Sequence, residues 1–194
     1  MSPTAMSDRN RLFMLLAERS ARWGCFTLAS GRQSTLYIDA RLTTMSPDGL
    51  ALIGPLALSA LVETSWGVAA IGGLTLGADP LSYAIAYASA STNCPLRAFT
   101  VRKETKTHGT GKLIEGPFYQ GDHVAVIEDV ITTGGSALRA VDAIRVAGGV
   151  VAGVLALVDR EEGGREAILA AGLPVVALAR ARDIVAYLRP SATP

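Results

Sequence analysis

Cysteine and histidine are scarce in this chain of 194 residues, which contains only two of each. The two cysteines, Cys25 and Cys94, lie far apart in the sequence. A structural zinc site needs a cluster of Cys and His ligands, and a small secreted domain needs several disulfides. The sequence therefore predicts neither a zinc site nor a disulfide framework.

An excess of charge of one sign is also lacking, because 18 Lys and Arg residues are balanced by 17 Asp and Glu residues. The formal charge of +1 provides no overall field of the kind that attracts nucleic acid, so no nucleic-acid partner is expected. Hydrophobic residues make up 49% of the chain, which excludes global disorder. Any anion-binding site must therefore come from a local concentration of charge.

Long apolar runs are missing as well, although Glu63 and Asp79 are the only charged residues between positions 49 and 96. Gly, Pro, Ser, Thr and Asn interrupt every uncharged run before it reaches the ~18 apolar residues of a membrane helix. The apolar stretch 12–17 is short, and no small-residue cleavage site follows it. We therefore expect a cytoplasmic protein without a membrane partner.

The order of apolar patterns predicts the fold class. From residue 46 onward, short β-type runs alternate with helical patterns, and the runs 124–127 and 150–158 are apolar on both faces. Such strands are typical of a parallel sheet that is covered by helices on each side. Since the length matches roughly one domain, we predict a single α/β domain over residues 1–194, with a core at about 46–188 and a small N-terminal hood at about 8–45.

The individual elements follow from periodicity and from capping residues. Helical spacing over 8–23, followed by Gly24 as a C-terminal cap, predicts a first helix that ends at Trp23. Two β-type runs, 26–28 and 35–40, flank a turn and would form the hood. Later helices are predicted at 46–64, 80–90, 136–147, 164–171 and 182–188, and later strands at 68–72, 97–102, 124–127, 150–158 and 175–178.

The stretch 124–136 carries the clearest chemical signal. A buried strand runs into Glu128 and Asp129 and then into a Thr/Gly/Ser turn that opens a helix. Gly134 and Gly135 allow the backbone to approach a ligand closely, and backbone amides at a helix N-terminus suit a phosphate. Further hydroxyl donors come from Thr132, Thr133 and Ser136. We call residues 132–136 the phosphate loop.

The two carboxylates cannot bind a phosphate directly, so they would accept hydrogen bonds from sugar hydroxyls or act on a bound cation. The combination predicts a ribose 5-phosphate ligand, and the alternative is an ordinary strand-to-helix turn. A Walker A loop is excluded because no Gly-Lys-Ser/Thr follows the glycines. Taken whole, the stretch 124–136 resembles the 5-phosphoribosyl-1-pyrophosphate (PRPP) binding motif of type I phosphoribosyltransferases.

The local concentration of charge lies at residues 102–116, where four basic residues and two acidic residues give a local charge of +2. No apolar residue precedes Leu113 in this segment, so a core cannot hold it in place. These properties predict a lid at 103–116, and a solvated surface loop is the alternative.

The segment that leads into the lid, Arg102-Lys103-Glu104-x-Lys106-x-His108-Gly109, resembles the catalytic loop of orotate phosphoribosyltransferases. Segments 26–32 and 37–39 resemble that family's hood, 157–160 resembles its segment with an orotate-contacting arginine, and 182–188 resembles its final helix. The resemblance covers about residues 10–188. The chain departs from it at Ala29 and Leu76, where many members carry Lys.

The resemblance implies transfer of the 5-phosphoribosyl group from PRPP to orotate, in pyrimidine biosynthesis. It also implies Mg²⁺ held mainly by the substrate, with no direct protein ligand, and a homodimer whose lid is shared between subunits. The implied catalytic residues are Lys106, His108 and Asp129, and the implied orotate contacts are Tyr37, Thr132 and Arg160. The implied PRPP contacts are Arg102, Lys103, Lys106, His108, Glu128, Asp129, Val130, Ile131, Thr132, Thr133, Gly134, Gly135 and Ser136.

Two other functions are compatible with the same residues. One is a phosphoribosyltransferase for another nucleobase. The other is a regulator that senses PRPP without turnover, although such a regulator is expected to lack the cations of the lid or to carry a nucleic-acid-binding appendage.

Overall fold

A computed structural model describes residues 6–27, 33–104 and 113–188 of the chain. The N-terminal part consists of α1 (Asp8–Leu15), a π-helical turn (Leu16–Ser20), β1 (Ala21–Thr27), β2 (Gln33–Ile38) and α2 (Arg41–Thr44). The rest consists of α3 (Pro47–Thr64), β3 (Ala70–Leu74), α4 (Ala78–Ser89), β4 (Arg97–Val101), β5 (Ile114–Glu115), β6 (His123–Ile131), α5 (Gly135–Val146), β7 (Val150–Asp159), α6 (Gly164–Ala170), β8 (Val175–Arg180) and α7 (Ala181–Val185).

The central sheet has six strands in the order β5-β4-β3-β6-β7-β8. Strands β4, β3, β6, β7 and β8 pair in parallel, whereas the short β5 runs antiparallel to β4 at the edge. The predicted parallel sheet is therefore confirmed. The two-residue strand β5 was not predicted, because its apolar pattern is too short to indicate a strand.

Helices cover both faces of this sheet. On one face Leu12, Ile53 and Ile85, from α1, α3 and α4, belong to the same hydrophobic cluster as Ile127 of β6. On the other face residues of α5 and α6 pack against alternate residues of the same strand, such as Val126. Because successive side chains of a strand point to opposite faces, a strand covered on both sides must be apolar throughout.

The predicted end of the first helix is wrong. Helical structure stops at Ser20, and Ala21 and Trp23 pair with Ile38 and Leu36 in the antiparallel β1-β2 hairpin. Gly24 lies inside β1 and does not cap a helix. Cross-strand pairing with a segment more than ten residues away decided this boundary, and helical periodicity within 8–23 cannot register such pairing.

Strand β6 extends beyond the predicted end at residue 127. Glu128 pairs with Ala156 and Ile131 with Asp159, so the ladder with β7 continues into the phosphate motif. The backbone amide of Arg160 then donates to the carbonyl of Ile131 at 2.9 Å, which places Arg160 beside the phosphate loop. From residue 46 onward, the ends of the other predicted elements agree with the structure to within three residues.

The capping residues behave as predicted at α3. Ser46 precedes Pro47, and its hydroxyl accepts a hydrogen bond from the amide of Gly49 at 3.2 Å. Within the described ranges, none of the helices is both long enough and apolar enough to cross a membrane.

Candidate active site

A cavity of about 580 Å³ opens at the carboxyl ends of β3 and β6. These two neighbouring strands are where the chain changes direction across the sheet, since β4 follows β3 on one side and β7 follows β6 on the other. Ligands of open α/β sheets bind at such switch points. The described lining residues are Tyr37, Ile38, Asp39, Ala40, Arg41, Leu74, Thr75, Leu76, Gly77, Lys103, Glu128, Asp129, Val130, Thr132, Thr133, Gly135, Ser136, Arg139 and Arg160.

The two glycines of the phosphate loop have different tasks. Gly134 has φ +80° and would bring a Cβ within 2.8 Å of the carbonyl oxygen of Gly164, so it serves the turn into α5 and does not line the cavity. Gly135 lines the cavity, and the nearest atom to its Cβ position is Thr133 Oγ1 at 3.6 Å. Of the two glycines, Gly135 is therefore the one whose missing side chain leaves space in the cavity, and a contact between the ligand and the backbone of Gly134 stays a prediction.

The hydroxyl-bearing residues Thr132, Thr133 and Ser136 line the same cavity, as does Val130. Ile131 alternates to the opposite face of β6, is 1% exposed and packs in the core, so its side chain is turned away from the ligand site. A backbone contact remains the only role that the geometry leaves to Ile131.

Glu128 and Asp129 form the acidic wall of the cavity. Burial, with a smaller effect from the charge of Asp129, raises the pKa of Glu128 to about 8. Burial also raises the pKa of Asp129, although its carboxylate accepts a hydrogen bond from the amide of Val130 at 2.9 Å. Carboxyl groups held in this way are expected to bind sugar hydroxyls or a cation more readily than an anion.

Arg160 also lines the cavity, is only 5% exposed, and donates from its Nη2 to three acceptors. These acceptors are Ser34 Oγ at 3.0 Å, the carbonyl oxygen of Leu36 at 2.8 Å and Glu162 Oε1 at 2.6 Å. Its buried Nε has no hydrogen-bond partner among the described residues. A buried N–H without an acceptor is unfavourable by about 1 to 3 kcal/mol, so the site is suited to an anionic or polar ligand.

Tyr37 of the hood lines the cavity and packs against Phe26, with ring centroids 5.1 Å apart. The hood is tied to the core here, because Ser34 and Leu36 of β2 are the acceptors of Arg160. Arg160 therefore connects the end of β7 with strand β2, which carries the aromatic ring of Tyr37.

The chain is similar over most of its length to several orotate phosphoribosyltransferases. An orotate phosphoribosyltransferase of Sorangium cellulosum is 48% identical over 95% of this chain and 97% of its own length. The orotate phosphoribosyltransferase of Mycobacterium tuberculosis H37Rv, solved with Fe(III) dicitrate, is 42% identical with a TM-score of 0.78, covering 92% of this chain and 99% of that one. A second structure of it, in complex with PRPP, is 40% identical with a TM-score of 0.75, over 92% and 99% of the two chains.

This chain belongs to the orotate phosphoribosyltransferase family. The resemblance inferred from the phosphate loop, the lid and the segment around Arg160 is thereby confirmed. No family model matches the chain.

Among the predicted basic residues of the lid, Lys103 lines the cavity. Arg102 does not, because its Nη1 pairs with Glu115 Oε1 at 3.4 Å on the edge of the sheet. Lys106 and His108 lie outside the described residues. Their roles stay predictions.

Two arginines that line the cavity, Arg41 and Arg139, were not predicted from the sequence. Arg41 follows the hood motif by two residues, and Arg139 stands one helical turn after Ser136, to which its Nη2 donates at 3.4 Å. The spacing from Ser136 was a usable signal for Arg139, since residues three apart share a helix face. The sequence contains no comparable signal for Arg41, which lies in α2, a short helix that the sequence pattern did not predict.

The turn after β3 is held by Asp79, which is 8% exposed. Its carboxylate accepts hydrogen bonds from Thr75 Oγ1 at 2.6 Å and from Thr100 Oγ1 at 2.8 Å. Residues Leu74 to Gly77 consequently face the cavity from a fixed backbone. This turn contains no basic side chain.

The described residues contain no group of three or more His, Cys, Asp or Glu side chains that could hold a metal ion. Glu128 and Asp129 nevertheless place two carboxyl groups on the cavity, and carboxylate oxygens are ligands that Mg²⁺ accepts. A divalent cation at this place would need the oxygens of a bound substrate to complete its coordination.

Proposed function

We infer that this protein transfers the 5-phosphoribosyl group of PRPP to orotate, with release of pyrophosphate and formation of orotidine 5′-monophosphate in pyrimidine biosynthesis. The observation that carries this function is the meeting of three groups in one cavity. The phosphate loop, the carboxyl pair Glu128–Asp129 and the buried Arg160 line it together. The related proteins named above are orotate phosphoribosyltransferases, and one of them was solved with PRPP.

The phosphate loop would hold the 5-phosphate. Gly135 leaves space for the anion, and the hydroxyls of Thr133 and Ser136 lie on the same surface at the start of α5. Backbone amides at a helix N-terminus point toward a bound anion and favour negative charge there.

The carboxyl pair would hold the ribose. Glu128 and Asp129 end β6 next to the phosphate loop, so a sugar whose 5-phosphate occupies that loop brings its hydroxyls to them. Anchoring the ribose at both places leaves C1 free to move from pyrophosphate toward N1 of the base. This orientation lowers the entropic part of the barrier.

Breaking the bond between C1 and pyrophosphate gives the ribosyl centre positive character and leaves negative charge on the departing group. Cations directed at that group therefore stabilise the transition state. Lys103 lines the cavity, and Lys106 of the lid would join it. Arg102, which precedes the lid, would have to leave Glu115 to reach the pyrophosphate. His108 would donate a proton or a hydrogen bond to the leaving pyrophosphate.

Mg²⁺ would supply further charge neutralisation on the pyrophosphate. Glu128 and Asp129 fit the ion as weak partners only, since the described cavity provides two adjacent carboxyl groups and no third ligand. Most of its coordination would come from PRPP, as the sequence analysis expected.

Arg160 would recognise the carboxylate of orotate. Because Nη2 already serves three acceptors, the donors left for a ligand are Nη1 and the unpartnered Nε. A two-pronged contact would have to include Nη2, so orotate would displace one of its present acceptors. Tyr37 would pack beside the flat ring of orotate, and Thr132, at the start of the phosphate loop, would contact orotate as well.

A homodimer with a shared lid remains part of this proposal. Large apolar side chains stand exposed on α3 and α4, with Val62 72%, Tyr83 54% and Tyr87 85% exposed. Leu76 lines both the cavity and the apolar groove beside α4, so a second subunit seated in that groove would reach the site. We place the protein in the cytoplasm, where its substrates would be present.

The test is pyrophosphate release from PRPP with Mg²⁺ and one of four bases: orotate, uracil, adenine or guanine. We expect release with orotate alone, and none when a chelator removes Mg²⁺. Release with another base and not with orotate would identify a different phosphoribosyltransferase. Tight PRPP binding without turnover of any base would identify a PRPP-sensing regulator.

A further inference from the structure

Arg41 stands at the edge of the cavity in a fixed orientation. Its Nε donates to Asp39 Oδ1 at 2.8 Å and its Nη2 donates to Asp39 Oδ2 at 2.9 Å. The same carboxylate accepts the backbone amide of Arg41 at 3.1 Å. Asp39 therefore occupies one edge of the guanidinium and directs it, while both N–H groups of Nη1 remain for a ligand.

The position of Arg41 is beside the turn after β3. Arg41 lines the cavity together with Leu76 and Gly77. Further along α2, Thr44 and the following Met45 share an apolar groove with Leu76, so the short helix packs next to this turn.

The charge of Arg41 also acts on Asp129. Burial raises the pKa of Asp129, and the positive charge of Arg41 opposes part of that rise. Gly77 lies directly against the Asp129 carboxylate, which joins the turn to the end of β6. Arg41 is therefore near both the uncharged turn 74–77 and the group that would hold the ribose.

We propose that Arg41 is a binding residue for the pyrophosphate group of PRPP and supplies the cation that the turn 74–77 lacks. This step rests on the proposed function. The pyrophosphate is attached to C1 of the ribose, so it must lie beyond Asp129 on the side away from the phosphate loop. In the described structure Gly77 lies against the Asp129 carboxylate, and Leu76 and Arg41 line the cavity together with it.

Asp39 is then a positioning residue. It lies on the cavity, yet an anion repels its carboxylate, and its measurable contribution is to hold the Arg41 guanidinium. Asp39→Asn should weaken pyrophosphate binding less than Arg41→Ala does, because asparagine keeps an acceptor for one of the two hydrogen bonds.

The experiment compares Arg41→Ala with Arg19→Ala. Arg19 is a matched control, since it also forms a two-pronged pair with an aspartate, from Nη1 and Nη2 to Asp48 at 2.7 and 2.6 Å, away from the cavity. Steady-state kinetics give KM for PRPP and orotate, and calorimetry with Mg²⁺ gives Kd for pyrophosphate and for orotidine 5′-monophosphate. Thermal unfolding verifies that both variants are folded.

We expect Arg41→Ala to raise KM for PRPP and Kd for pyrophosphate about tenfold, as for the loss of a charge-assisted hydrogen bond at a half-exposed site. Binding of orotidine 5′-monophosphate, which has no pyrophosphate, should change less than about twofold. Arg19→Ala should change none of these values. Leu76→Lys in the Arg41→Ala background should recover at least about threefold in pyrophosphate affinity, because it returns a charge to the same wall.

Equal effects of Arg41→Ala and Arg19→Ala would overturn the proposal. Equal weakening of pyrophosphate and orotidine 5′-monophosphate would also overturn it, since that result indicates a general disturbance of the site. If the double variant binds pyrophosphate no more tightly than Arg41→Ala does, the loss of a positive charge does not explain the effect of Arg41→Ala. An unaltered protein that turns over another base and not orotate would refute the proposed function, while the pyrophosphate titrations would still test Arg41.

Discussion

A Cβ atom on Gly77 would lie 2.5 Å from both Cγ and Oδ1 of Asp129, so a side chain at position 77 would require the Asp129 carboxylate to move. Gly77 has φ −63°, which every residue adopts, and the requirement is therefore for space and not for backbone freedom. This contact keeps the pyrophosphate side of the cavity next to the carboxyl group that would hold the ribose.

Gly77→Ala is expected to lower kcat/KM for PRPP at least about tenfold, because the Asp129 carboxylate must move. Overpacking at this contact should also lower the free energy of unfolding by about 1 to 3 kcal/mol. The decisive measurement repeats the substitution in an Asp129→Ala background, where the obstructing carboxylate is absent. There Gly77→Ala should have little effect on stability, and an equal loss in both backgrounds would contradict the assigned contact.

Gly134→Ala and Gly135→Ala are expected to have different effects, although both residues lie in the phosphate loop. Gly134→Ala should lower the free energy of unfolding by about 1 to 2 kcal/mol, since φ +80° is unfavourable for alanine and Gly164 obstructs the Cβ. Gly135→Ala should leave stability nearly unchanged and weaken PRPP binding, because its Cβ enters the cavity. Calorimetry with PRPP and thermal unfolding separate the two effects, and the reverse pattern would refute the division of tasks.

Glu128 should make stability depend on pH. In the folded protein its pKa is raised from 4.5 to about 8, so between these values the folded state holds a proton that the unfolded state has released. Stability contributed by this group therefore falls as the pH rises through that window. Glu128→Gln should give little gain at about pH 5 and a gain on the order of a few kcal/mol at about pH 9.

Thermal unfolding of the ligand-free protein, in the presence of a chelator, measures this difference. Glu63→Gln removes an exposed carboxyl group on α3 and is the control. A gain from Glu128→Gln that stays constant across the pH range would show that Glu128 is ionised in the folded protein.

Arg160→Ala should raise KM for orotate far more than KM for PRPP. Loss of a charge-assisted contact at one ligand corresponds to roughly 2 to 3 kcal/mol, or about 30-fold to 150-fold. Arg9→Ala is the matched control, because Arg9 donates two hydrogen bonds to the carbonyl oxygen of Leu178 at 3.2 and 2.9 Å, outside this cavity. An equal rise of KM for both substrates would show that Arg160 only connects the hood to the core.

The shared lid is tested by complementation. Lys106→Ala should lower kcat by about 10² to 10³, as for the loss of one donor to the transition state, and Asp129→Asn should weaken the ribose contacts. In a dimer that mixes these two inactive subunits, one site has both an intact Asp129 and an intact Lys106 donated by the partner. Activity should return after subunit exchange, whereas exchange without recovery would show that each lid serves its own subunit.

Many of the residues that line the cavity could be predicted from local sequence, because they are concentrated in contiguous segments. The stretch 124–136 combines a buried strand, two carboxylates and a helix N-terminus, and each of these properties depends on neighbouring residues. The same holds for the charge of the lid. Parallel strands with both faces buried are likewise visible as continuous apolar runs.

Pairing across distance could not be predicted in the same way. The first helix stops at Ser20 because Ala21 and Trp23 pair with β2, and Arg41 reaches the cavity because β2 and α2 lie over the end of the sheet. Gly134 and Gly135 are neighbours in sequence, yet one faces Gly164 and the other faces the cavity. Composition and periodicity report the environment of a residue along the chain, whereas the direction of a side chain and its partners depend on segments that only the folded backbone brings together.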